Sequence, residues 1–485
     1  MAKATDSGHS QAFVNSYKGF GGLPPLAGLH TMRDVAATGL TVSESVNRLK
    51  RLHWSLKRLH QIFVARITSM PIYELKMAFS LHAHYCAEHI GEFAARVQEM
   101  RQPPYGLEVP PHPALDMFFD EILAAPSPEA LVLGLYEHAV PAVVRALEHA
   151  IADTNKLFDH PTYRICRLTL VEMQDVQMYG TEAIRCLVDE QTRTELAEWL
   201  AALDGMLAAA GDLDGKATPS GENVARHFSA VPYKYDPVPK RDERFKDPYN
   251  MGVNAEAMLF DPKIEPLPKT IMLYFKRMRE IDVPEMMASI LAEAADKPWE
   301  YYRDMTRQLW DEARHAMMGE IGFVSMGIDW TNIPFNFTWS LGLNTMLDSK
   351  ERHAVLYTIE QGLMPKKIGK EYEWEVAVAT ANPLTSMIQD YDWADEILHA
   401  RIGRKWIVPE IGSQSEAMAY GDKAWSKVLV DWKKWKEQGL TEHRNWWPDV
   451  YCAACRNWGI EPDPALLAYD TTYENARADL KEVAS

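Results

Sequence analysis

Cysteine is scarce in this sequence, and long apolar runs are missing from it. Five cysteines among 485 residues cannot form a dense disulfide framework, which favours a reducing compartment. No stretch of 18 consecutive apolar residues occurs, and the first residues, MAKATDSGH, lack the apolar core of a signal peptide. We therefore expect a cytoplasmic protein that does not span a membrane.

Basic charge is also in short supply. The sequence has 51 Lys and Arg residues against 68 Asp and Glu residues, a formal net charge of −17. A surface this acidic repels nucleic-acid phosphates and anionic lipids, so neither class of partner is expected. A glycine-rich dinucleotide motif following a strand and a phosphate-binding loop are both absent, which argues against a bound nucleotide or flavin.

Strand patterns are nearly absent, whereas apolar residues recur at helical spacing over 42–203 and again over 269–436. Eight prolines fall between positions 211 and 268 and leave little room for long helices there. The sequence therefore predicts an all-α protein. The predicted parts are an extended N-terminal arm (1–41), a helical bundle (42–210), a proline-rich linker (211–268), a second helical bundle (269–410) and a C-terminal helical extension (411–485).

The second half contains two segments of the form Asp-Glu-x-x-His. Residues three apart lie on the same helix face, so each Glu-x-x-His aims a carboxylate and an imidazole at one point. A single copy arises by chance and usually means a solvated Glu beside a surface or capping His; two copies with a leading Asp are stronger evidence. A metal-bound His normally donates its other N–H to a carboxylate, which is the role expected of each leading Asp. The residues are Asp311, Glu312 and His315, and Asp395, Glu396 and His399.

A dinuclear carboxylate site in a four-helix bundle needs one further Glu from each of two other helices. A helix beginning near Pro298–Trp299 would carry the first motif about 20 Å from its start. The preceding helix should end near Ala295, so its ligand must lie well back from the turn, which favours Glu285 over Glu293. Glu285 also completes a capping box with Asp282, and this structural alternative stays open.

The other Glu is expected at position 360. A helix over about 349–364 has Glu360 among apolar residues, where an unpaired carboxylate is costly to bury. The helix of the second motif should open with Asn382-Pro383, an N-cap followed by a good first helical residue. Asp392 lies one turn before Glu396, and we leave open whether it is an additional ligand or a solvated residue.

The predicted ligand set combines carboxylates and imidazoles. Four carboxylates against two divalent ions give no net charge, which a bundle interior tolerates. Oxygen and imidazole donors suit Fe or Mn better than Zn. The predicted ligands are Glu285, Glu312, His315, Glu360, Glu396 and His399, with Asp392 as an optional seventh.

The ordered set Glu, Asp-Glu-x-x-His, Glu, Asp-Glu-x-x-His resembles that of the ferritin-like dinuclear carboxylate superfamily. The segments Glu360-Gln-Gly-Leu-Met-Pro365 and Asp395–Trp406 are most similar to an incompletely characterised ferritin-like branch. The resemblance covers about residues 265–410 and implies a ferritin-like four-helix bundle that holds two Fe ions, with Mn or a mixed Fe/Mn pair as alternatives.

The first half resembles a degenerate copy of the same bundle. Leu81–His89 and Glu172-Met-Gln-Asp175 occupy comparable helical contexts, but neither keeps Glu-x-x-His. We therefore expect two ferritin-like four-helix bundles with a dinuclear site only in the second. A metal group of Glu74, His84 and Glu88 is the less favoured alternative to packing and hydrogen bonding.

The resemblance implies a non-haem di-iron oxidase or oxygenase that uses O2 on a small organic substrate. Glu312 and Glu396 are the carboxylates expected to take part in catalysis, because the coordination of such groups shifts as the charge on the metals changes. An external electron donor and a homodimer are expected as partners. The alternatives are a catalase or ferroxidase type, which acts on peroxide or on metal, and a non-catalytic scaffold braced by its metal.

Overall fold

The computed structural model describes residues 8–101, 106–365, 369–428 and 432–470, and no described residue lies in a β-strand. The predicted all-α class is therefore confirmed. The α-helices before residue 210 are α1 (Gly8–Ser16), α2 (Met32–Ala36), α3 (Val42–Arg66), α4 (Tyr73–Glu99), α5 (Pro113–Leu123), α6 (Pro128–Leu133), α7 (Val140–Asp153), α8 (His160–Leu187) and α9 (Glu190–Ala209).

Helical structure resumes after a long irregular segment. In the described chain between positions 211 and 254, the only helical element is the 3-10 turn Phe228–Ala230. The later helices are α10 (Ala255–Leu259), α11 (Pro266–Arg279), α12 (Asp282–Glu293), α13 (Trp299–Ser325), α14 (Thr338–Met346), α15 (Ser349–Gly362), α16 (Lys370–Ala379), α17 (Pro383–Trp406), α18 (Val408–Ile411), α19 (Gln414–Val428), α20 (Trp432–Glu437), α21 (Trp447–Trp458) and α22 (Pro464–Leu467).

The chain forms two compact units that do not follow chain order. The first unit comprises Met1–Ile62 and Tyr85–Lys234, and the second comprises Phe63–His84 and Tyr235–Ser485. The second unit thus takes the end of α3 and the beginning of α4. The predicted limits at residues 41, 210, 268 and 410 stay predictions.

The first unit is built around α7, which packs against α8 and against the π-helical turn Gly134–Ala139. The stretch Pro128–Asp153, which joins α6, this turn and α7, is long and apolar enough to cross a membrane by composition. Its most apolar window is 83% buried, as in the core helix of a soluble protein, so it is weak evidence for a membrane span.

The helices of the second unit begin where the sequence indicates. Pro298 is the N-cap of α13, and the Asn382 side chain accepts hydrogen bonds from the first backbone N–H groups of α17. Asp348 and Glu351 form a capping box at the start of α15. The predicted starts of these helices are confirmed.

Two glycines let α11 and α13 approach closely. A Cβ atom on Gly319 would lie 2.2 Å from the backbone nitrogen of Met278, and one on Gly322 would lie 2.5 Å from the Tyr274 ring. In the same unit, α13 also packs against α17, and α15 packs against α17. These contacts place the inner faces of α11, α13, α15 and α17 around one buried cluster of charged side chains.

Candidate metal centre

The two Asp-Glu-x-x-His motifs lie on α13 and α17, and their Glu and His side chains are fully buried. Glu312 and Glu396 are each 1% exposed, and His315 and His399 are 0% exposed. Burying charged groups to this degree is costly unless each group is paired or binds a metal. The inner faces of α13 and α17 therefore have a polar function that packing alone does not explain.

These side chains belong to two groups whose donor atoms all lie within 4.8 Å of one another. The groups share two carboxylates, Glu312 and Glu396, and each has one imidazole of its own. The His315 group consists of Glu280, Glu312, His315 and Glu396, and the His399 group consists of Glu312, Glu360, Glu396 and His399.

Each imidazole turns its Nδ1 atom toward the shared carboxylates. The His399 Nδ1 atom lies 3.1 Å from Glu312 Oε1 and 3.2 Å from Glu396 Oε2. The His315 Nδ1 atom lies 3.5 Å from Glu312 Oε2. These buried Glu and His side chains could hold a metal ion.

Glu280 belongs to the His315 group although the sequence analysis did not select it. It follows the last residue of α11 and lies in the two-residue break before α12. A simple count would have found it. Asp296 is the middle of the turn between α12 and α13, Glu312 lies 16 residues after it, and Glu280 lies 16 residues before it.

The structure does not bring Glu285 to this cluster. Its buried carboxylate accepts hydrogen bonds from Lys76 Nζ at 2.5 Å, Arg241 Nη2 at 3.0 Å and Ser340 Oγ at 2.9 Å. The alternative capping box is absent too, because the N-cap of α12 is Ile281 and no side chain caps this helix. Glu285 instead lies in a buried ion-pair network about one helical turn from Glu280.

The leading Asp of each motif contacts the His of the other motif. Asp395 Oδ2 lies 3.2 Å from His315 Nε2, and Asp311 Oδ2 lies 3.4 Å from His399 Nε2. Arg314 donates hydrogen bonds to both Asp residues. The two motifs therefore orient each other's imidazoles across the interface between α13 and α17.

Asp392 is buried, at 1% exposure, and is neither solvated nor a member of either donor group. It forms ion pairs with Arg277 and Lys370, and the Lys370 Nζ atom lies 3.0 Å from both of its carboxylate oxygens. Lys370 Nζ also lies 2.9 Å from Glu396 Oε1 and 3.7 Å from Glu280 Oε1. Two cations that the sequence analysis did not select thus border the His315 group.

The acids of the cluster differ in pKa because their neighbouring charges differ. Burial alone would raise the pKa of Glu280, but Arg277 and Lys370 outweigh burial and lower that pKa to about 2. Burial also opposes ionisation of Glu396, yet Lys370 and other partners hold its pKa well below the usual range. Glu360 lacks such a cation, so burial and the charge of Glu396 raise its pKa well above the usual range.

Both imidazoles favour the protonated form. Burial lowers the pKa of His315, but the neighbouring carboxylates of Asp395, Glu280 and Glu312 raise it overall to about 10. The pKa of His399 is raised as well, against burial, by its carboxylate partners. Two imidazolium groups thus balance the shared carboxylates in the metal-free chain, and a metal ion would have to displace their protons.

Several donor atoms of the cluster form no hydrogen bond of good geometry within the described ranges, although other donors of the cluster lie 3.1–3.5 Å from some of them. Nearly all buried polar atoms in native proteins form well-oriented hydrogen bonds, so a group of atoms at one point that lack such bonds is what an ion or ligand site provides. The atoms without such a hydrogen bond are Glu280 Oε2, Glu312 Oε1, His315 Nδ1 and Glu360 Oε2. The donor set therefore fits a metal ion.

Among the described residues of the first half, no comparable cluster occurs. His89 Nε2 lies 2.6 Å from Glu172 Oε2, and Glu74 forms an exposed ion pair with Arg244. Across the part of the chain that the structure describes, the two groups above are the only sets of His, Cys, Asp and Glu placed to hold a metal. Glu74, His84 and Glu88 do not form a third.

No protein-family model, curated protein or solved structure matches this chain. Residues and their geometry alone therefore support a functional proposal.

Proposed function

We propose that this protein is a dinuclear metalloenzyme of the ferritin-like type, with both metal positions in the second unit. The observation that carries the proposal is the pair of donor groups that share Glu312 and Glu396. Two shared carboxylates are what a pair of bridged ions requires, and each position then has one Glu and one His of its own. Glu280 and His315 complete one position, and Glu360 and His399 complete the other.

The helices that supply these donors fit a ferritin-like bundle. In our proposal, α11 and α12 together form one of its four members, and the other three are α13, α15 and α17. Two of the four, α13 and α17, contribute Glu-x-x-His. We further propose that the first half is a degenerate copy of this bundle. A cytoplasmic location belongs to the same proposal.

Charge supports two divalent ions. The four ligand carboxylates with Asp392 and Glu373 carry −6, and Arg277, Lys370 and Lys276 carry +3, so the cluster has a net charge of −3. Without metal, two protonated imidazoles and a protonated Glu360 bring it to zero. Two divalent ions beside neutral imidazoles and an ionised Glu360 bring it to +1. Either state stays close to neutral in a buried site. Oxygen and imidazole donors favour two Fe ions, with Mn or a mixed pair as the alternatives.

The proposed reaction is oxidation or oxygenation of a small organic substrate by O2, with electrons from an external donor. A pair of redox-active ions, when bound, supplies the electron transfer and open coordination positions that O2 chemistry needs. The protein's own residues orient the donors. Gln308 donates a hydrogen bond to Glu360, and the two leading Asp residues fix the imidazoles. The full burial of Glu312 and Glu396 keeps bulk water from the shared carboxylates.

Elemental analysis of the purified protein and O2 consumption by the reduced, iron-loaded protein test this proposal. We expect two metal ions per chain and O2 uptake that the His399→Ala variant lacks, because one position loses its only imidazole. Rapid disproportionation of peroxide with no O2 uptake would favour the catalase type. Metal with neither activity would favour the scaffold, and a protein that binds no metal under iron- or manganese-rich conditions would refute the proposal.

A further inference from the structure

The outer face of α8, in the first unit, has exposed apolar residues at its centre. Leu168, Val171 and Met178 are 44%, 59% and 63% exposed, and their spacing of three and seven residues places them on one stripe of the helix. The opposite face is buried against α7. A surface groove of about 350 Å³ lies at the N-terminal half of this stripe, lined by His160, Tyr163, Arg164, Arg167, Leu168 and Val171.

Charges on this face are divided about Val171. Arg164 and Arg167 lie before it, whereas Asp175 and Glu182 lie after it. Within the described ranges, no residue forms an ion pair with Arg164, Arg167 or Asp175, while Glu182 pairs with Arg185 on its own helix. The face is therefore basic toward one end and acidic toward the other, with unpaired charges at both ends.

We propose that this face binds a second copy of the chain, with the two α8 helices antiparallel and the two-fold axis at Val171. Opposed residues then have numbers that sum to 342, so Arg167 of each copy faces Asp175 of the other. Parallel pairing would instead place like charges together. This arrangement makes the contact self-complementary, as a two-fold interface must be.

The length of the helix suits such an interface. The 28 residues of α8 extend about 42 Å, at about 1.5 Å per residue. A stable interface buries on the order of 800 Å² on each partner. A stripe of this length, with apolar residues at its centre and opposite charges at its two ends, can supply an interface of that class. The inference is independent of the metal centre.

The oligomeric mass of the protein in solution tests whether this face of α8 binds a second copy. We expect a dimer by analytical ultracentrifugation at micromolar concentrations, and we expect Val171→Asp to raise the dimer dissociation constant at least tenfold. Val109→Asp is the matched control, since Val109 is 63% exposed in the same unit but lies outside α8, and it should leave the dimer intact. A wild-type protein that stays monomeric at 100 µM, or a Val171→Asp variant that dimerises as well as wild type, would overturn the proposal.

Charge exchange tests the antiparallel register. Arg167→Glu should weaken the dimer at least tenfold by opposing two acids, and the double variant Arg167→Glu, Asp175→Arg should restore it. Mild oxidation offers a second readout. Val171→Cys in a Cys186→Ser background should form a cross-linked dimer, because position 171 meets itself across the axis. Wild-type Cys186 should not cross-link, since two copies of it would lie about 45 Å apart along the paired helices. Loss of binding in the double variant, or cross-linking through Cys186 alone, would contradict the register.

Discussion

Replacing Glu280 and Glu285 in turn separates a metal ligand from a structural ion pair. The two residues are five apart in the chain, and both are buried acids in the second unit. We expect Glu280→Gln to lower the metal content of the protein from two ions per chain to one, because the His315 group loses the carboxylate that only it contains. We expect Glu285→Gln to keep both ions but to lower the free energy of unfolding.

The size of the stability loss follows from the contacts of Glu285. Its carboxylate balances the buried cations Lys76 and Arg241, and removing one partner of such a pair typically costs about 3–5 kcal/mol. Asp282 offsets part of this loss. Burial, together with the charge of Glu285, raises the pKa of Asp282 to about 7 despite Arg241, so a neutral residue at position 285 lets Asp282 ionise more fully. We therefore expect a loss near the lower limit, about 3 kcal/mol.

Metal content by elemental analysis and urea unfolding of the metal-free proteins give the two readouts. Glu300→Gln is the matched control, since Glu300 lies on α13 and pairs with Lys405 at the surface, and it should change neither quantity. Loss of metal in Glu285→Gln together with two ions in Glu280→Gln would refute the reasoning, and so would a Glu285→Gln variant as stable as wild type.

Three further predictions concern charge, pH and packing. Lys370→Met should tighten metal binding at least tenfold, because it removes a cation 2.9 Å from a shared carboxylate, whereas Lys405→Met, at the surface, should not. Competition with a chromophoric chelator measures both affinities, and equal effects of the two substitutions would contradict the prediction. Burial lowers the pKa of the His82 imidazole from 6.5 to about 3, so the folded protein holds this side chain in its neutral form. The stability that the neutral imidazole contributes is complete above pH 6.5 and is lost as the pH falls toward 3. From pH 7 to pH 5 this residue should cost about 2 kcal/mol, a loss that His82→Gln should lack in urea titrations at the two pH values. Gly319→Ala should cost about 3 kcal/mol or more and weaken metal binding, because its Cβ would overlap the backbone of α11, whereas Gly362→Ala meets no atom and should leave the melting temperature nearly unchanged.

Local sequence signals predicted the helices well because the signals themselves are local. An N-cap followed by proline marks the start of α17, and Pro298 marks the start of α13. Glu-x-x-His likewise needs only helical geometry to bring its two side chains together. The donors Glu312, His315, Glu360, Glu396 and His399 therefore appeared in the sequence and meet in the structure.

Glu280 and the bordering cations needed information that no local pattern contains. The helix is interrupted between α11 and α12, so the favoured donor Glu285 lies about one turn beyond the level of the cluster. Lys370 is the first residue of α16, and its ammonium group reaches Glu396 only through the packing of α16 against α17. Long-range packing of this kind decides which buried acid is paired with a cation and which has a free oxygen.

The most direct test of the account is the electron paramagnetic resonance spectrum of the protein loaded with Mn(II). If Glu312 and Glu396 bridge two ions as we propose, the ions would lie about 3.5–4 Å apart, as in other two-metal sites. We expect two Mn(II) ions per chain and an exchange-coupled spectrum, which the His315→Ala variant should replace with the six-line signal of an isolated ion. A wild-type protein that binds no Mn(II), or that shows only isolated six-line signals at saturation, would contradict a shared dinuclear centre.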